Sequence, residues 1–87
     1  MTKGQAESLQ RQLKKAFGGK VQLELIDQKR GRYRFAVLSK RFNSIKPLAR
    51  QDRAWKVVDK TLPREAALDV SLILTYAPAE LELAAAK

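Results

Sequence analysis

Arg50, Arg53, Lys56 and Lys60 recur at the three- and four-residue intervals that gather side chains on one side of a helix. A second set, Lys29, Arg30, Arg32 and Arg34, surrounds Gly31. Cations in such arrays suit a phosphate backbone, because each phosphate they neutralise releases condensed counterions. Arg and Lys contact phosphates as readily as guanine edges, so the pattern carries no base preference. The other reading is a solvated face, since a surface helix must be polar outside and Asp52 and Asp59 interrupt this one. The candidate nucleic-acid-binding residues are Arg30, Arg32, Arg34, Arg50, Arg53, Lys56 and Lys60.

The whole chain shares the bias. Lys and Arg number 18 against 9 Asp and Glu, a net charge of +9 that favours polyanionic partners, although excess charge also serves colloidal stability. There is no cysteine and no histidine, which removes disulfides, thiolate ligands and imidazole chemistry. Without them no nucleophile and base can be paired, and no glycine-rich phosphate loop is present, so we expect no enzyme, no metal and no cofactor. Trp55 falls on an apolar helical stripe and reads as a core anchor with its indole N–H at the edge. Tyr33 and Phe35 share the buried face of a strand, whereas base stacking on a sheet needs aromatics on the open face. Asp27 and Asp69, at strand ends, read as turn or cap residues.

These side chains must be positioned by a single domain, because 87 residues supply one hydrophobic core and not two. Ala6, Leu9, Leu13, Ala16 and Phe17 predict an amphipathic helix over about Gln5 to Phe17, ended by Gly18-Gly19. Val21, Leu23 and Leu25 alternate with polar residues as a first strand. Tyr33, Phe35 and Val37 do so as a second, and Lys29-Arg30-Gly31 turns between them as a hairpin. Pro47 opens a second helix, with Leu48, Trp55, Val58 and Leu62 facing inward, and Pro63 stops it. A short turn at Arg64 to Leu68 precedes a third strand in which Val70, Leu72, Leu74 and Tyr76 face the core and Ser71, Ile73 and Thr75 do not. Pro78 opens a terminal helix. A helical crossover between the second and third strands implies a parallel pair. The expected fold is an α+β two-layer sandwich of order α-β-β-α-(α)-β-α, a three-stranded mixed sheet with helices on one face. The polar start, Met1 to Gln12, lacks the apolar run of a signal or a membrane span, which leads us to expect a cytoplasmic protein.

In this order the segments resemble the BolA family. Gln22-Leu23-Glu24-Leu25-Ile26-Asp27 resembles its first strand, and Arg32 to Phe42 its second, with the ending Ser39-Lys40-Arg41-Phe42. Ser71-Leu72-Ile73-Leu74-Thr75-Tyr76-Ala77-Pro78-Ala79-Glu80 resembles its last strand running into proline and glutamate. The resemblance implies a class II KH-like fold, a regulatory role in transcription and the stress response, and two classes of partner: nucleic acid, or a monothiol glutaredoxin sharing an iron-sulfur cluster. The chain departs from the family at its histidines. The helix histidine falls on Trp55, or on Gln51 or Asp52 in the ungapped match, and the histidine before the last strand falls on Asp69. None substitutes for imidazole at such a centre, so the resemblance carries over no metal ligand. The expectation is a nucleic-acid-binding regulatory module, with a protein-interaction adaptor as the alternative.

Overall fold

The computed structural model describes residues 1–80. Helix α1, Lys3–Phe17, begins two residues earlier than the apolar periodicity suggests. Its start is a capping box, in which Thr2 Oγ1 accepts from the Gln5 N–H and the Gln5 side chain accepts from the Thr2 N–H. Strands β1 (Lys20–Asp27) and β2 (Arg32–Leu38) form the hairpin. The Asp27 carboxylate accepts from the Lys29 and Arg30 backbone N–H groups, and Gly31 takes the positive φ that the turn requires. A 3₁₀ turn, Lys40–Ser44, that periodicity did not predict links β2 to helix α2, Pro47–Thr61. A single helical turn α3, Arg64–Ala67, leads into β3, Val70–Tyr76. Pro78 to Glu80 are helical, and the remainder of the expected terminal helix lies outside the described residues.

The sheet order is β1-β2-β3, antiparallel then parallel, as the crossover required. Leu9, Leu13, Phe35, Val37, Phe42, Ala54, Val58 and Ile73 form the centre of one buried cluster between sheet and helices. No described helix is long and apolar enough to cross a membrane.

Two expected faces are corrected. The β2–β3 register slips between Tyr33 and Arg34, so Tyr33 pairs with Val70 but Arg34 with Leu72. The extra residue, Ser71, turns every later side chain of β3 to the opposite face. Ile73 is therefore buried beside Phe35 with 1% exposure, while Leu72 is 43% exposed on the open side of the sheet. On α2 the inward stripe is Arg50, Ala54 and Val58 rather than one beginning at Leu48, which is 84% exposed. Trp55 is half-buried at the flank of the core, and its indole N–H donates to Gln51 Oε1 at 3.3 Å.

Candidate nucleic-acid interface

The predicted cations do not form one surface. Arg50 is buried: its Nη2 donates to the Phe42 carbonyl at 2.6 Å, its Nε to the Ile45 carbonyl at 2.7 Å, and its Nη1 to Glu80 at 2.7 Å. It ties the 3₁₀ turn to α2 and cannot meet a phosphate. Glu80, held by this guanidinium and by the Ala77 N–H, has its carboxyl pKa lowered by those two bonds, the Arg50 bond first. Arg53 and Lys60 are exposed on α2, and Lys56 beside them is paired with Asp52 at 3.1 Å. Arg34 lies on the open sheet face in an ion pair with Glu24. The sheet separates it from the helical layer and hence from the α2 cations. Arg30 is exposed in the hairpin turn, while Arg32 is half-buried and its Nε has no hydrogen-bond partner among the described residues.

A different group of cations is brought together by the fold. The end of α1 and the end of β2 are tied at three points. Ser39 Oγ donates to the Phe17 carbonyl at 2.5 Å, Arg41 Nη1 donates to the Ala16 carbonyl at 2.8 Å, and Gly19 lies against the Leu38 carbonyl. Lys20 opens β1 opposite Leu38. Lys14, Lys15, Lys20, Lys40 and Arg41 thereby collect at one end of the molecule, all exposed. Arg11 joins them: with Lys14 and Lys20 it lines a shallow depression of about 430 Å³ beside Gln10, Val21 and Gln22. Among the described residues none of these cations is in an ion pair.

This end was missed in the sequence, yet a signal for it exists. No acidic residue stands between Glu7 and Glu24 or between Asp27 and Asp52, and the fold brings parts of these two acid-free runs together. Of the positions that the resemblance sets against histidines, Trp55 flanks the core, Gln51 donates to the Ile73 carbonyl, Asp52 pairs with Lys56 and Asp69 accepts from the Met1 amino group. Among the described residues no group of carboxylates is placed to hold a metal ion. No family model matches the chain, and no curated protein matches it. The functional reading therefore rests on charge and topology.

Proposed function

We propose that this chain is a cytoplasmic, single-domain BolA-like regulatory module that binds nucleic acid through phosphates. The carrying observation is the cationic end of Arg11, Lys14, Lys15, Lys20, Lys40 and Arg41, which is in no ion pair among the described residues. Cations without carboxylate partners bind a polyanion without first breaking an internal pair, unlike Arg34 and Lys56. Arg53 and Lys60 extend contact along α2. The order of helix, hairpin, helix and parallel strand supports the class II KH-like reading that the resemblance implies.

The test is titration of labelled single-stranded and duplex oligonucleotides over a range of salt. If about four phosphates are neutralised, log affinity falls against log salt with a slope of roughly −3 on single strands and slightly steeper on duplex. Replacing Lys14 and Lys20 together with Gln weakens binding to all sequences alike and makes the slope shallower by about 1.5. The pair Arg53→Gln and Lys60→Gln has the smaller effect. No binding at low salt, or unchanged binding by the Lys14 and Lys20 variant, refutes the proposal. Loss of a monothiol glutaredoxin interaction in that variant, with nucleic-acid binding intact, would favour the adaptor instead.

A further inference from the structure

Strand β3 has the sequence Val-Ser-Leu-Ile-Leu-Thr-Tyr, with no charge, no proline and no glycine, and among the described residues it is an edge of the sheet. The Ser39 N–H donates to the Tyr76 carbonyl at 3.0 Å. In a parallel ladder alternate residues face the neighbour, so Leu72, Leu74 and Tyr76 turn their peptide groups to β2. Ile73 and Thr75 turn theirs outward. Among the described residues one side chain reaches this edge, Gln51, whose Nε2 donates to the Ile73 carbonyl at 2.7 Å. The usual guards of an exposed edge, lysine and proline, are absent from Leu72 to Tyr76.

The edge is apolar on both sides. Toward the helices, Leu48, Ala49 and Trp55 line a shallow depression of about 710 Å³ with Lys46, Gln51 and Asp52. On the open face Leu72, Leu74 and Tyr76 remain partly exposed. An added strand would meet apolar side chains with both sets of its alternating residues. Charge selects the occupant. Of the two edge strands, β1 carries Lys20, Glu24 and Asp27 whereas β3 carries no charge, so pairing β3 with its own copy sets no like charges opposite one another. One lysine and one aspartate leave the depression without excess charge, which offers nothing to a polyanion or to a strongly charged peptide.

We propose that two copies of this chain associate through antiparallel pairing of β3 with β3, giving one continuous sheet of twice the width. β3 suits itself as occupant: Leu72, Leu74 and Tyr76 fall on one face and Ile73 on the other. With Ile73 opposite the partner's Ile73, its carbonyl accepts the new bond on the lone pair that Gln51 leaves free. The proposal is independent of nucleic-acid binding and is tested without nucleic acid.

Sedimentation of the full chain from about 1 μM to 1 mM, in enough salt to screen its charge, is expected to show a concentration-dependent rise to twice the monomer mass. Trp55, the single tryptophan, borders the edge and should shift its emission to the blue over the same range. Thr75→Pro removes an outward N–H while sparing the bonds to β2, and Leu72→Lys places a charge beside the edge. Each should weaken association at least ~10-fold with unchanged far-UV circular dichroism. A monomer throughout, or a dimer of parental affinity in Leu72→Lys, overturns the proposal. So does a blue shift of Trp55 produced by an oligonucleotide and not by self-association, because the groove would then hold bases.

Discussion

Replacing Arg50 with Met keeps an aliphatic stem and a good helix former in α2 while deleting the guanidinium. The buried Phe42 carbonyl then loses the donor it holds at 2.6 Å, which costs about 1–3 kcal/mol. The Ile45 carbonyl is only part-buried and recovers some of its bond from water. Glu80 is 42% exposed, so its ion pair with Arg50 is screened by solvent and adds little. The guanidinium also stands 5.3 Å from the centroid of the Phe42 ring, a cation–π contact worth about 0.5–1 kcal/mol. The expected loss is about 1.5–4 kcal/mol, a large part of the stability of a small domain. Urea unfolding followed by Trp55 fluorescence and far-UV circular dichroism measures it as a lower midpoint at unchanged slope. The control is Arg53→Met on the exposed face of the same helix, expected to change stability by no more than about 0.5 kcal/mol. A loss below about 1 kcal/mol at Arg50 would refute the reasoning and return that residue to the phosphate-binding set.

The lowered pKa of Glu80 means that its carboxylate is favoured over the acid more strongly in the folded chain than in the unfolded one. Its contribution is therefore complete above the ordinary carboxylate pKa and fades as pH falls through the lowered folded value, so the stability gap between the parent and Glu80→Gln should be constant at neutral pH and close on acidification. Gly19 holds φ +70°, and a Cβ there would overlap the Leu38 carbonyl oxygen. Gly19→Ala should cost more than about 1–2 kcal/mol in thermal or urea unfolding, and a neutral result would mean that this approach is looser than the structure has it.

Strand spans, the hairpin and the parallel crossover were legible because each rests on local periodicity or on a handedness rule. The inner face of β3 was not. Leu72, Leu74 and Tyr76 make one face look uniformly apolar, against Ile73 as the only large apolar residue on the other, and the deciding slip at Ser71 depends on pairing with a distant strand. The facing of α2 failed for a geometric reason. Leu48 stands six residues before Ala54, about 120° around the helix, so a stripe centred on Ala54 and Val58 leaves it outside. Arg50 read as a surface cation because its burial requires the Phe42 carbonyl of the 3₁₀ turn, the Ile45 carbonyl just after it and a carboxylate from beyond β3, none visible in helical spacing. Removing Arg50 from the candidate site and adding Arg11, Lys14, Lys15, Lys20, Lys40 and Arg41 both follow from tertiary contacts of the segment after β2.

The two proposed surfaces meet beside Leu38, and this constrains how they could work together. Lys20 and Tyr76 both stand opposite Leu38, so the cationic end is also the end at which β2 and β3 finish. Antiparallel pairing of β3 with β3 reverses one copy relative to the other, and the two cationic ends then point in opposite directions. One short oligonucleotide could not bridge them, because the span would be comparable with the 37 Å longest dimension of a single copy. Self-association therefore adds nothing to the affinity for a short strand. Only a strand long enough to reach across the widened sheet would gain from having two phosphate-binding ends on one particle.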